Sequence, residues 1–389
     1  MITFLASLFI KDRRNYDSPA VRQAYGVLSG AVGIGLNILL FLGKWIAGTL
    51  SGSIAITADA FNNLSDAGSS FITLVGFRFA GKKPDPEHPF GHGRFEYISG
   101  FVVSVIIIVM GLELGHSSIV KIIKPEAVDT SIASIIVLLA SIGVKVYMCI
   151  YNRRVGAKID SAAMKATAID SLSDTVATSV VLISVLLCRF CNINIDGICG
   201  VAVACFILYA GYDAAKDTIS PLLGKAPDEK FVEEIENTVM AHKHVLGVHD
   251  LVVHDYGPGR VMISLHAEVP GDDDIFELHE EIDAIEREIK GRLGCEAVIH
   301  MDPIDRNNGE LKHIMAYMRE QIFNIDPAMS IHDFRMVTGR ERTNLIFDVV
   351  VPYSYKGTKE ELIKKIQKAA SELDSRYQVI VDIDRAYVR

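Results

Sequence analysis

Two pairs of polar residues stand four positions apart in segments that are otherwise apolar. One pair is Asn62 and Asp66, and the other is Asp170 and Asp174. On a helix, residues four apart share a face and lie about 6 Å apart along the axis. A carboxylate at the centre of a bilayer costs about 3 kcal/mol or more, so it persists only where it faces a protein interior, a water-filled cavity or a bound cation.

The two pairs together offer oxygen ligands and neither sulfur nor imidazole. Such hard donors suit Mg²⁺, Ca²⁺ or Mn²⁺ better than Zn²⁺ or copper. A polar network that only fastens helices together is disfavoured, because carboxylates at one depth repel one another without a cation or protons. Asp59 shares the face of Asn62 and Asp66, and the sequence leaves open whether it is a fifth ligand, a proton carrier or a helix-packing group.

The elements that position these residues are predicted membrane helices. Segments long enough to cross about 30 Å of hydrocarbon lie near residues 26–49, 54–80, 97–122, 130–151, 162–188 and 197–218. Basic residues concentrate in the N-terminal flank and after the second, fourth and sixth segments, so the positive-inside rule places both termini in the cytoplasm. Lys44 and Lys145 lie toward the ends of their predicted segments, where they are expected to snorkel to the lipid interface without a functional role.

The pattern changes after Pro227 to amphipathic helices and short alternating strands in the order α-β-β-α-β. The same order recurs over residues 307–384, and the two stretches align at His249-Asp250 and His332-Asp333. A duplicated domain is the simplest interpretation.

Composition separates the chain into a membrane part and an acidic, water-soluble part. Half of the residues are hydrophobic and the formal net charge is −9, with the excess of acid in residues 226–389. An acidic surface argues against nucleic acid as a partner. The sequence contains no nucleophile elbow, phosphate loop or HExxH motif, so neither an enzyme nor an organic cofactor is predicted.

The run from Ala58 to Asp66, the run from Glu87 to Arg94 and the Asp-x-x-x-Asp of the fifth span together resemble the cation diffusion facilitators. The resemblance covers residues from about 20 to 303. It implies a homodimeric efflux transporter that exchanges a divalent metal for protons by alternating access. Its transport site would be Asn62, Asp66, Asp170 and Asp174. Zinc-transporting members carry His at one or both positions of Asn62 and Asp170, whereas this chain resembles the manganese branch.

The resemblance also implies two metal sites outside the membrane. One is a loop site of Asp85, His88 and His92, whose alternative interpretation is a capped turn. The other is a binuclear site in a ferredoxin-like cytoplasmic domain, formed by His249, His266, His279, His300 and Asp302. In the second repeat, His332, Asp348, Asp382 and Asp384 form either a harder, weaker metal site or a degenerate structural copy.

The predicted fold is therefore a polytopic α-helical membrane protein with six transmembrane helices and α+β ferredoxin-like cytoplasmic domains. The domains are an N-terminal cytoplasmic segment (1–24), a six-helix transmembrane domain (25–222), a ferredoxin-like domain (226–304) and its repeat (307–389). The functional hypothesis is a Mn²⁺/H⁺ antiporter in the bilayer of the cell membrane.

Two alternatives remain open at this point. The same transporter could carry Fe²⁺, Zn²⁺ or Co²⁺, since a carboxylate site binds several of these ions. A membrane-anchored metal sensor would use the tail alone, and it would need no carboxylates at membrane depth.

Overall fold

The computed structural model describes residues 2–16, 18–51, 54–124, 131–191, 196–340 and 342–385. They form two compact units. The first comprises Met1–Lys225 with Asp255–Arg260, and the second comprises Ala226–His254 with Val261–Arg389.

The first unit is a bundle of long helices. In chain order they are α1 (Ile2–Phe9), α2 (Pro19–Ser51), α3 (Ile54–Ala80), α4 (Phe95–Ile123), α5 (Ile132–Lys158), α6 (Ala162–Cys191) and α7 (Asp196–Ile219). Among the described residues, α2 and α4 to α7 are long and apolar enough to cross a membrane. Helix α3 is 27 residues long, but its Asn, Asp and Ser residues lower its hydropathy. Because it packs along α2 and also contacts α4 and α6, it completes the predicted six-helix bundle.

Glycines of α2 let it lie against α3 at close range. A Cβ added to Gly26 would collide with the ring of Phe77, and one added to Gly30 would fall 2.7 Å from Leu74 Cβ and 3.0 Å from its backbone Cα. Small residues at a helix interface permit this approach in lipid, where van der Waals contact replaces the hydrophobic effect as the source of association.

The second unit contains the predicted α-β-β-α-β order twice. The first repeat holds α8 (Glu229–Met240), β1 (Gly247–Asp255), β2 (Val261–Pro270), α9 (Ile275–Leu293) and β3 (Glu296–Ile304). The second holds α10 (Gly309–Ile325), β4 (Ser330–Thr338), β5 (Thr343–Val351), α11 (Lys359–Leu373) and β6 (Tyr377–Arg385). The sheet orders are β1-β2-β3 and β4-β5-β6, with β2 parallel to β3 and β5 parallel to β6.

Local sequence signals set the helix ends in these repeats. The Asp274 carboxylate accepts hydrogen bonds from the first backbone N–H groups of α9, and Gly294 ends that helix in the left-handed conformation. Thr358 and Glu361 form a reciprocal capping box at the start of α11. These are the residue types that satisfy the unpaired backbone groups of helix termini.

Each repeat buries its own apolar core. Ile235, Leu265 and Ile285 lie in the core of the first repeat, and Phe347 and Ile366 lie in that of the second. The described residues of each core come from one repeat only. Burial of helix against sheet therefore stabilises each repeat separately.

The likeness of the repeats extends to an unusual backbone conformation. Asp250 and Asp333, which each follow a histidine, have positive φ angles of 53° and 51°. Asp tolerates this left-handed region better than most side chains. The register in which β4 pairs with β5 shifts between His332 and Arg335, which is the effect of a β-bulge.

Candidate metal centres

Three membrane helices bring charged side chains to one buried point. The Lys145 ammonium of α5 donates hydrogen bonds to Asp66 Oδ2 of α3 at 2.7 Å and to Asp174 Oδ2 of α6 at 2.6 Å. Lys145 is 2% exposed and Asp66 is 3% exposed. The two predicted carboxylates thus converge as the sequence pattern suggested, and they share a cation that belongs to the protein.

Further charges surround this centre. Asp170, one turn before Asp174, is buried, and its charge interacts with those of Asp174, Asp66 and Lys145. Lys44 of α2 is also buried and acts electrostatically on Asp174. Carboxylates and ammonium groups in a low-dielectric interior stabilise one another strongly, and loss of one partner would leave an uncompensated charge.

The structure places Asn63, rather than Asn62, beside the carboxylates. Asn62 is exposed on α3, whereas Asn63 is buried and donates from Nδ2 to Asp66 Oδ2 at 3.1 Å. Asn63 Oδ1 and Asp66 Oδ1 are buried without a hydrogen-bond partner among the described residues. Two oxygen acceptors are therefore open at this centre. Asp59 lies in α3, but its side chain is outside the described residues.

The prediction that Lys44 and Lys145 snorkel to the interface is wrong. Helix α5 runs from Ile132 to Lys158, seven residues beyond the predicted end at 151, so Lys145 lies at its midpoint. A lysine at mid-membrane needs a counter-charge, which Asp66 and Asp174 supply. An intramembrane lysine in a chain with unpaired intramembrane carboxylates was the sequence signal that could have found this contact.

The loop after α3 brings together its predicted site residues. Asp85 Oδ1 lies 3.4 Å from His88 Nδ1, and Asp85 Oδ2 lies 3.3 Å from His92 Nε2. Asp85 Oδ1 also accepts backbone hydrogen bonds from Glu87 and His88, so the residue caps a turn as well. The backbone hydrogen bond from His88, together with the nearby His92 and His88 charges, lowers the pKa of Asp85. His92 Nδ1 is buried and unpartnered within the described part of the chain.

The first repeat collects most of its predicted ligands at one end of its sheet. Asp302 Oδ2 lies 2.8 Å from His266 Nδ1 and 3.3 Å from His249 Nε2. Its other oxygen, Oδ1, lies 3.5 Å from His300 Nε2. His279 is not among them, because its side chain on α9 is 65% exposed and faces Asp283 at 3.8 Å. The ligand atoms of His249, His266 and Asp302 lie within 4.8 Å of one another, a spacing that ligands of one metal ion can adopt.

Neighbouring charges shift the pKa values of His249 and Asp250 at the edge of this group. Burial disfavours the imidazolium of His249, but the hydrogen bond and charge of Asp250, with Asp302 and Glu268, outweigh it and raise the His249 pKa. The same hydrogen bond from His249 lowers the pKa of Asp250, helped by the charge of His332.

The second repeat gathers a carboxylate group at the corresponding end of its sheet. Asp348 and Asp384 lie within 4.8 Å of each other and of Asp250, measured between carboxylate oxygens. Burial raises the pKa of both Asp348 and Asp384, and the neighbouring carboxylates add to the shift. Asp382 is not part of this group, since it is 82% exposed and faces Lys359.

A helix bundle with converging intramembrane carboxylates, followed by α+β repeats that carry histidine and aspartate clusters, defines a membrane transporter of cations. Residues 31–223 match the cation efflux transmembrane domain, and residues 227–304 match the cytoplasmic domain of cation efflux proteins. The chain belongs to this family, the cation diffusion facilitators.

Individual relatives agree with the family match. An uncharacterized transporter of Methanocaldococcus jannaschii is 35% identical over 270 residues, which is 69% of this chain and 95% of the relative. The cation-efflux pump FieF of Klebsiella pneumoniae is 26% identical over 287 residues, 73% of this chain and 95% of the pump. The family consists of transporters of divalent metal cations rather than enzymes.

Proposed function

We propose that this protein is a homodimer that exports Mn²⁺ from the cytoplasm in exchange for protons. The observation that carries the proposal is the convergence of Asp66 and Asp174 on Lys145 inside the membrane bundle, with Asp170 beside them. The acceptor atoms at this centre are oxygens, including the open Oδ1 atoms of Asn63 and Asp66. Oxygen donors favour Mn²⁺ over softer ions among the transition metals.

Lys145 gives the transport site a cation to exchange. Its ammonium occupies the carboxylate oxygens that a metal would bind, so an arriving Mn²⁺ must displace it from Asp66 and Asp174. When the metal leaves, the ammonium can return and spare the carboxylates the cost of standing unpaired in a low-dielectric interior. Protons taken up by the remaining carboxylates would be the counter-transported species, because protonation also neutralises them.

The distribution of charge supports the direction of transport. Basic residues flank the N-terminus and follow the second, fourth and sixth membrane segments. By the positive-inside rule, this distribution favours an orientation with both termini, and with them the acidic repeats, in the cytoplasm. We propose that the bundle lies in the plasma membrane. The acidic repeats would then meet the cargo before it is exported.

Cargo other than Mn²⁺ is the main alternative. Carboxylate sites bind Fe²⁺, Co²⁺ and Zn²⁺ as well, and geometry decides among them. A metal sensor without transport is disfavoured, since sensing by the histidine and aspartate clusters of the second unit gives no reason for Asp66 and Asp170 to be buried between membrane helices.

Flux into sealed proteoliposomes tests the proposal directly. The purified wild-type protein is expected to move Mn²⁺ and to move protons the opposite way, as reported by a pH-sensitive dye inside the vesicles. Asp66→Ala and Asp174→Ala should each remove the flux, because each deletes a charged ligand with little packing volume. The matched control is Asp213→Ala, an exposed aspartate on α7.

Competition with Fe²⁺, Co²⁺ and Zn²⁺ in the same vesicles identifies the preferred ion. Flux at the wild-type rate from both aspartate variants would reject the intramembrane site. Flux that is lost in the variants but prefers another metal in the wild type would reject only the assignment of Mn²⁺.

A further inference from the structure

The two repeats of the second unit meet through a cluster of ionisable side chains. Asp250 comes from the first repeat, and the others, His332, Asp348 and Asp384, come from the second. We propose that these four side chains bind one divalent transition-metal ion, which joins the repeats. This site is separate from the predicted set of the first repeat and from the transport site in the membrane.

The environment of His332 gives the clearest indication that a metal ion binds in this cluster. The residue is 8% exposed, and neither of its ring nitrogens has a hydrogen-bond partner in the part of the chain that the structure describes. Leaving a buried polar group unsatisfied costs about 1–3 kcal/mol, so native proteins rarely keep one without a reason. A metal bound to one of its nitrogens would supply the missing interaction.

The distances around His332 suit shared coordination better than hydrogen bonding. His332 Nε2 lies 3.7 Å from Asp250 Oδ1 and 3.8 Å from Asp384 Oδ2, too far for a hydrogen bond. Two ligands that each lie about 2.0–2.2 Å from one ion stand between about 3 and 4 Å apart. The measured spacings fall in that interval.

The carboxylates of this cluster need a cation for a second, independent reason. Asp250, Asp348 and Asp384 place ligand oxygens within 4.8 Å of one another. Like charges at that range repel one another. A bound divalent cation would attract all three carboxylates and offset their mutual repulsion. A neutral His332 ring carries no charge with which to do so.

The architecture supplies the ligands from adjacent strands. His332 on β4 pairs in register with Asp348 on β5, and Asp384 follows on β6 beside Val350. The bulge after His332 and the positive φ of Asp333 accompany this arrangement. Asp250 has the equivalent backbone position in the first repeat, so the duplicated His-Asp sequence contributes one ligand from each copy.

The ion would also fasten the repeats to each other. Their apolar cores contain described residues of one repeat only. The repeats are connected by contacts such as that between the His249 and His332 rings, whose centres lie 4.3 Å apart with the ring planes tilted by 31°. Metal occupancy would then fix their mutual orientation. One imidazole and three carboxylates form a donor set that accepts Mn²⁺, Fe²⁺ or Zn²⁺.

The test uses the full-length protein in detergent with the transport site disabled by Asp66→Ala and Asp174→Ala. Bound Mn²⁺ and, separately, Zn²⁺ are counted per chain by equilibrium dialysis. Adding His332→Ala and Asp384→Asn should remove one ion per chain. The matched control adds His313→Ala and Asp382→Asn, an exposed pair of the same repeat, and should keep that ion.

A variant in the other repeat keeps the proposal falsifiable if His332→Ala disturbs the fold. Asp250→Asn alone preserves shape and hydrogen bonding on a side chain that is one-third exposed, and it should weaken binding of the same ion at least tenfold. Unchanged stoichiometry and affinity in both variants would overturn the site. Loss of the ion in the His332 and Asp384 variant with full binding in Asp250→Asn would overturn its assignment to both repeats. The starting protein carries Asp66→Ala and Asp174→Ala and is expected not to transport metal. A negative result in this binding assay would therefore not contradict the proposed function.

Discussion

The membrane centre and the cluster between the repeats are both built from aspartate carboxylates. They differ in the group that neutralises those carboxylates. In the membrane, Lys145 lies 2.6 and 2.7 Å from two carboxylate oxygens. Between the repeats, His332 Nε2 lies 3.7 Å from Asp250 Oδ1 and 3.8 Å from Asp384 Oδ2. A buried charge in lipid must have a resident counter-ion, whereas partly exposed carboxylates can be screened by water until a metal arrives.

This difference predicts different working affinities. At the proposed transport site, the Lys145 ammonium would compete with the metal, which would weaken binding and favour release. No such competitor faces Asp348 and Asp384 among the described residues, so an ion bound there would be retained. The first arrangement suits a cargo and the second suits a structural or regulatory ion.

Removing the resident cation should have the largest effect. Lys145→Met keeps most of the side-chain volume but leaves Asp66 and Asp174 without their bonded ammonium and Asp170 without a nearby positive charge. We expect Mn²⁺ to bind at least about tenfold more tightly and its flux through vesicles to fall strongly, because release becomes slow. Equilibrium dialysis and flux on the same preparation measure the two effects.

Arg154→Met is the control for this variant, since Arg154 is an exposed cation on the same helix. It should change neither binding nor flux. A Lys145→Met protein that binds and transports like the wild type would show that the ammonium does not compete with the metal, and the contrast between the two centres would disappear.

Substituting Asn62 and Asn63 one at a time tests which of these neighbouring asparagines belongs to the membrane centre. Asn63 donates to Asp66 and holds an open oxygen beside it, whereas Asn62 is exposed. Asn63→Ala should therefore reduce Mn²⁺ flux about tenfold, the loss of roughly one polar contact, and Asn62→Ala should reduce it less. The reverse order would mean that Asn62 enters the site in another state of the transport cycle.

A softer ligand should shift the preference of the membrane centre. Asp170→His replaces a hard oxygen with an imidazole, which suits tetrahedral Zn²⁺ better than Mn²⁺. When the two ions compete in the vesicle assay, the ratio of Zn²⁺ to Mn²⁺ flux should rise in this variant. The double variant Asp170→His with Asn62→His should keep that higher ratio. An unaltered ratio would place selectivity in residues other than Asp170.

The smallest effect concerns the pair His249 and Asp250 in metal-free protein. The raised pKa of His249 means that its contribution to stability is complete below about pH 6.5 and is lost as the pH rises through the folded value. Asp250 has a lowered pKa, so its contribution is lost only as the pH falls below about 4. In chelator, His249→Gln should lower the unfolding temperature by about 2 °C at about pH 5.5 and by less at about pH 8.5. His313→Gln, an exposed substitution in the other repeat, should show no such pH difference.

The sequence predicted the elements better than it predicted the contacts. Hydrophobic length and alternation are local, so the α-β-β-α-β order predicted after Pro227, and its recurrence over residues 307–384, both appear in the structure. The partners of Lys145 and the choice between Asn62 and Asn63 depend on how helices rotate against one another, which no local pattern specifies. The meeting of Asp250 with His332 depends on the arrangement of two separately folded repeats and is equally non-local.

The glycine contact between α2 and α3 has a spectroscopic consequence. Leu74 and Phe77 fill the space where Cβ atoms of Gly30 and Gly26 would stand, so α3 cannot slide or roll on α2 without a collision. Paired spin labels on these two helices should report one distance whether the transporter is loaded or empty. Labels on α3 and α6, which hold Asp66 and Asp174, should report a distance that changes, because the proposed transport site lies between those helices.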